Sequence, residues 1–312
     1  MTGTKGDPVA DFPSYPSGRG GHPENEPYSY PSTSRDGTYD PGYAYGYFQP
    51  NKKRGTGLIN VMDAVGWGFK ATFRGAGVWI LGCFGLFFLA AAVGTLSNSG
   101  NSESSATYAD LIFQVFLWAT MVLGVNASLR HIDHDAINWN CVGEKMRFGP
   151  LLGTVVLIGL ALSALQAIIV IVFGASAALE MVNSGVLYGE DVDPQQILEA
   201  LGRLAGALFI GGVLEWLLLP LYIFIPWAVG DSEDKWTSQV AAGYRAGVAN
   251  YGKILLWSLL FSICAALVTL VTVGLALLII APATVLMVAH MYRQATGGVL
   301  PVDNPLPRYL ED

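Results

Sequence analysis

Residues 254–290 contain no Asp, Glu, Lys or Arg. As one straight helix they would extend about 55 Å at 1.5 Å per residue. That is nearly twice the roughly 30 Å hydrocarbon core of a bilayer. A charge-free run of this length has two solutions. One is a hairpin breaking near Val273-Gly274, which gives two spans. The other is a single helix kinked at Pro282. The glycine and the run lengths on either side favour the hairpin.

Four further apolar runs are long enough to cross: Gly77–Leu96, Asp110–Leu129, Leu151–Phe173 and Leu208–Val229. About 20 residues suffice. Composition agrees, since 13% of the residues are charged against about 25% in ordinary soluble domains. The expected fold is all-α, a polytopic transmembrane helical bundle of about six spans. These form three helical hairpins, each preceded by an amphipathic interfacial helix.

Residues 1–57 read as a disordered, Pro/Tyr/Gly-rich cytoplasmic tail. They hold eight of the 16 prolines and seven of the 14 tyrosines, with few aliphatic residues. Too little apolar area is available to offset the entropy of ordering. No secretory leader is expected there, because the stretch has no apolar core. The tail ends in the basic knot Lys52-Lys53-Arg54, which suits anionic headgroups on the cytoplasmic face. The simpler reading of the tail is a solubilising leader; its Tyr/Pro/Gly spacing also makes it a candidate docking segment for a protein partner. Residues 294–312 read as a short cytoplasmic tail.

In residues 58–76, Ile59, Met62, Val65, Phe69 and Phe73 recur at helical spacing. Lys70 and Arg74 lie among them as membrane-surface basic residues. This is the pattern of a helix at the lipid interface. The plan recurs. Asp63-Ala-Val-Gly-Trp67 matches Asp135-Ala-Ile-Asn-Trp139, and Gly77 and Gly149 each follow ten residues after the Trp. A third copy aligns Gly243-Tyr-Arg-Ala246 with Gly68-Phe-Lys-Ala71, which places Gly252 under Gly77 and Ser238 under Asp63. Asp63, Asp135 and Ser238 then suit helix N-caps. On the return spans, Pro220 and Pro282 lie eleven residues before Asp231 and Arg293, where the first copy has Ala119 before Arg130. The copies cover about 58–130, 131–230 and 231–293 of a six-span domain, 58–293.

Charge orients the spans. With the N-terminus inside, every Lys and Arg but Arg203 falls on a cytoplasmic segment, as the Lys/Arg bias of short loops requires. Both termini are then cytoplasmic, and the lipid bilayer is the first expected partner.

Few residues suggest chemistry. Glu215 is the one carboxylate well inside a predicted span, with Gln114 and Gln166 as candidate neighbours. Intramembrane ionisable groups commonly mark a pathway. The simpler reading is a neutral side chain hydrogen-bonded to another helix. His131, His134 and Asp135 have a spacing that a metal could use, but they stand where a helix leaves the membrane and polar residues are expected anyway. Gly247-Val-Ala-Asn-Tyr-Gly-Lys253 mimics a phosphate loop without its Ser/Thr or its strand. Gly202-Arg-Leu-Ala-Gly206 has small-residue spacing for close helix packing, expected within the bundle. No catalytic constellation or cofactor motif is present, Cys83, Cys141 and Cys264 are dispersed, and basic residues are too scattered for nucleic acid.

The head motif D-A-V-G-W-G-F-K-A-T-F-R-G-A-G-V-W-I resembles that of bacterial six-span proteins, namely the membrane domain associated with glycerophosphodiester phosphodiesterases and the YciC-like group. The Tyr/Pro/Gly-rich leader is similar to those of actinobacterial membrane proteins. The resemblance implies a helical bundle in the plasma membrane and carries over no catalytic residue. The expected function is a non-catalytic scaffold or accessory factor of membrane or envelope assemblies. The alternative is a small transporter or permease using Glu215.

Overall fold

A computed structural model describes residues 53–99, 103–134, 137–183 and 194–301. The tail through Lys52, together with Asp135, lies outside the described residues. All described residues belong to one compact unit.

The chain begins with α1 (Val61–Arg74), separated from α2 (Ala76–Ser99) by Gly75. A Cβ at Gly75 would stand 2.7 Å from Ile137 and 2.8 Å from the Trp79 ring, so the corner needs glycine. Next come α3 (Glu103–His134), the single turn α4 (Trp139–Val142) and α5 (Phe148–Asn183). The fourth apolar run divides into α6 (Pro194–Tyr222) and α7 (Ile225–Asp231). Pro220 and Pro226 bracket that break, because each lacks the N–H that a continuous helix uses. Then follow α8 (Trp236–Ala249), α9 (Tyr251–Val271) and α10 (Leu277–Thr296).

Among the described residues six segments are long and apolar enough to cross a membrane: Ala76–Thr95, Ile112–His134, Phe148–Gly174, Leu198–Asp231, Tyr251–Val271 and Leu277–Thr296. The protein is therefore an all-α, multi-pass membrane bundle. The charge-free run forms a hairpin: Val273 (φ 51°) and Gly274 (φ 88°) turn the chain between α9 and α10.

The surface helices differ in extent. α1 and α8 each have 14 residues, whereas α4 has four. The helix starts also differ from the repeat register. Asn60, not Asp63, caps α1, its side chain accepting the Asp63 N–H. Asn138 caps α4, and Ser238 lies one turn inside α8.

Burial is concentrated at one end of the bundle, here termed the base. There the ends of α3, α7 and α10 meet α1, α4 and α8. Most of α10's apolar window is enclosed, 56% against 11–33% for the other five spans. Leu286, Met287, Ala289 and Met291 on α10 pack with Val125, Leu129 and Ile132 of α3 and Phe224 and Val229 of α7. α1 rests on α10 through its small residues. Gly68 approaches so closely that a Cβ would lie 2.5 Å from Met287 Cγ and 3.0 Å from the Ala283 carbonyl. Away from the base, apolar side chains such as Phe87, Ile171, Phe209 and Leu267 are exposed, as lipid-facing positions must be in a membrane.

Candidate functional site

The base also holds most of the paired polar groups. Arg293, at the end of α10, is the central one. Its Nη2 lies 2.8 Å from Asp133 Oδ1 of α3 and 2.8 Å from Asp231 Oδ1 of α7. Arg130 reaches Asp133 Oδ2 at 3.1 Å, and Tyr292 donates its hydroxyl to Asp231 Oδ2 at 3.2 Å. The arginine side chains are only 11–13% exposed. Pairs taken this far from water depend on mutual neutralisation, because an isolated buried charge is costly. The cluster therefore ties three helix ends into one unit.

Beside it lies an aromatic–histidine stack. His131 is buried and accepts the Trp79 indole N–H on Nδ1 at 3.0 Å. Trp67 of α1 meets His131 edge-on at 5.8 Å and stacks on His290 at 5.1 Å between ring centres. Gln294 completes the row. Its Nε2 is 3.2 Å from Asp63 Oδ2 and 3.2 Å from His290 Nδ1, while its Oε1 accepts the Asn60 N–H at 2.7 Å. Asp63 thus joins α1 to α10. A further link on the other side of the base runs from the Trp227 indole to Ser128 Oγ, 3.1 Å.

The histidine-rich segment is distributed among separate partners. His131 receives Trp79, Asp133 holds two arginines, and His134 Nε2 lies 3.3 Å from Glu144. Among the described residues no three His, Cys, Asp or Glu side chains are grouped as a metal would need. The Gly247–Lys253 segment is the α8–α9 corner. Asn250 ends α8, and Lys253 Nζ donates to the Ile59 carbonyl at 2.9 Å.

Lys53, Arg54, Lys70 and Arg74 are all exposed. Lys53 and Arg54 lie on a strap, residues 53–60, that crosses the base. Gly55 N–H donates to Gly298 O and Leu300 N–H to Lys53 O, each at 2.9 Å. Farther along, Asn250 Oδ1 accepts the Ile59 N–H at 3.0 Å, and its Nδ2 donates to Gly57 O at 3.1 Å. The entry to α1 and the exit from α10 are therefore fastened side by side.

Glu215 is half-buried on α6, with no hydrogen bond or ion pair among the described residues. The Gln166 amide of α5 rests against Gly211, one helical turn away. Tyr222 stands about two turns farther along α6. Gln114 is exposed on α3. The structure thus brings Gln166 to the helix that carries Glu215, and shows no hydrogen bond from either residue to Gln114. Among the described residues nothing lies within 4 Å of a Cβ added at Gly202 or Gly206.

The Arg293 cluster was not singled out from sequence. A signal for it existed, since Arg130, Asp231 and Arg293 occupy one position of the return-span alignment and carry opposite charges. Comparison with protein-family models, curated proteins and solved structures finds no match for this chain.

Proposed function

We propose that this protein is a non-catalytic scaffold or accessory factor of membrane or envelope assemblies in a bacterial plasma membrane, with its base and both termini in the cytoplasm. One observation carries the reading. The strap fastens Lys53 beside Leu300, so the segments before and after the bundle leave from one point on the base. A partner held by residues 1–52 would be brought to that point. The ionic and histidine groups of the base are occupied in tying helices together, which suits a support better than a reaction centre. The threefold plan is consistent with this. The five residues before Arg130, Asp231 and Arg293 are buried in each copy, as equivalent helix ends around one core would be. The resemblance of the head motif to six-span bacterial membrane domains agrees and adds no reacting group.

The test is cross-linking and co-purification from native membranes, with the full chain and a version lacking residues 1–50. A partner retained by the full chain and lost with the tail is expected. If neither form retains a partner, the scaffold reading fails.

A transporter is the second reading, favoured by one feature. Glu215 sits within a span without a hydrogen bond among the described residues, and Gln166 lies on the neighbouring helix near it. It predicts a flux that Glu215→Gln abolishes.

A further inference from the structure

The strap that fastens the two ends also builds a surface. Its backbone is held at Gly55, Gly57, Ile59 and Asn60 by α10, the α8–α9 corner and the segment after α10. On this pinned segment Ile59 turns inward, 3% exposed, while Thr56 and Leu58 turn outward. Leu58 is 61% exposed, and Met62, at the start of α1, 78%. Along the same edge stand Lys53 and Arg54, exposed and without an ion-pair partner among the described residues. Lys253 joins them from α9. It is exposed and is held to the strap by the Ile59 carbonyl. Asp63, exposed next to Met62, accepts from the Gln294 amide, a neutral donor that does not offset a carboxylate. The edge therefore combines three cations and one carboxylate, a net excess of positive charge, with two outward apolar side chains.

We propose that this edge, Lys53–Met62 with Lys253, is a docking surface for anionic phospholipid at the membrane interface. The cations would meet headgroup phosphates, and Leu58 and Met62 would enter the acyl boundary. The pairing of charge with exposed apolar area selects the occupant. A soluble phosphate would satisfy the cations and leave Leu58 and Met62 in water. A neutral lipid would take the apolar pair and leave the excess positive charge uncompensated. The inference shares with the proposed function the placement of the base at a lipid interface, but it does not require a protein partner.

The test uses the full chain in neutral detergent, titrated with phosphatidylglycerol or phosphatidylcholine, with bound lipid resolved by native mass spectrometry. The wild type is expected to take up phosphatidylglycerol in preference. Removing a surface cation weakens anionic-lipid binding by about fivefold, so Lys53→Gln with Arg54→Gln should lower that affinity about 25-fold at low ionic strength. Among the described residues neither side chain makes a hydrogen bond or ion pair, and the strap is held through its backbone, so the double variant keeps those contacts. Leu58→Ser with Met62→Ser should weaken phosphatidylglycerol while leaving binding of glycerol phosphate unchanged. Arg203→Gln, at the other end of the bundle, should change neither. Equal retention of the two lipids by wild type, an unchanged affinity in the Lys53/Arg54 variant, or competition by glycerol phosphate as strong as by the lipid would each overturn the proposal. Because the measurement contains no partner protein, it can fail while the scaffold reading stands, and the reverse.

Discussion

Replacing Arg293 by Met removes the cation that lies 2.8 Å from both Asp133 and Asp231. Methionine keeps much of the side-chain volume, so the change is chiefly electrostatic. It leaves two carboxylates facing one another, with Arg130 still paired to Asp133 and the Tyr292 hydroxyl on Asp231. Breaking a buried pair by removing one partner typically costs about 3–5 kcal/mol. The carboxylates retain 20–30% exposure, which places the expected loss at the lower end, about 3 kcal/mol. For a six-span domain of this size, at about 2 °C per kcal/mol, that corresponds to a fall of about 6 °C in Tm. Thermal unfolding in detergent, followed by tryptophan fluorescence and loss of the monodisperse peak, reads it. Arg245→Met is the control, because Arg245 is exposed and donates only to a carbonyl of its own helix. Adding Asp231→Asn to Arg293→Met should restore part of the loss by removing one uncompensated charge. If Arg293→Met falls no further than the control, the cluster does not hold the helix ends together.

Other perturbations probe separate joints. Gly68→Val places a branched side chain against Met287 and Ala283 and should lower stability by about 1–3 kcal/mol, read as a drop in Tm; an unchanged Tm would mean that α1 is not seated on α10. Trp79→Phe removes the indole donor to His131 and should cost about 1–3 kcal/mol for the acceptor left buried, whereas Trp139→Phe, 60% exposed, should be neutral in the same unfolding assay. Val273→Gly relieves a β-branched residue held at φ 51° and should raise Tm, since left-handed backbone costs an L-residue roughly 1–2 kcal/mol. Asn250→Ala cuts the strap's contacts with Ile59 and Gly57, and trypsin should then cleave after Lys53 or Arg54 faster than in wild type.

Much of the fold was legible because hydrocarbon is a simple solvent. It requires helices of a given length, and charge-free runs reveal them. The break at Val273-Gly274 followed from the same argument, as a 55 Å helix would overrun the bilayer. The division of the fourth run at Tyr222 was less visible, although Pro220 and Pro226 in a short interval were a sign of it. Helix caps were misplaced by a turn because Asp63 was free to serve either as a cap or as a tertiary partner. Asn60 took the first role and Gln294 drew Asp63 into the second. The histidine segment suggested a metal because one-dimensional spacing cannot show what faces each side chain. Trp79, Arg293 and Glu144 come from elsewhere in the chain and divide the group among themselves.

The proposed placement of the base and the lipid edge on the cytoplasmic side rests on the expected orientation of the three hairpins. Reporter fusions made after Ser104 and after Asp193 test it directly. The account predicts that both reporters read as exported, with fusions at the N-terminus reading cytoplasmic. Cytoplasmic readings from both positions would contradict it.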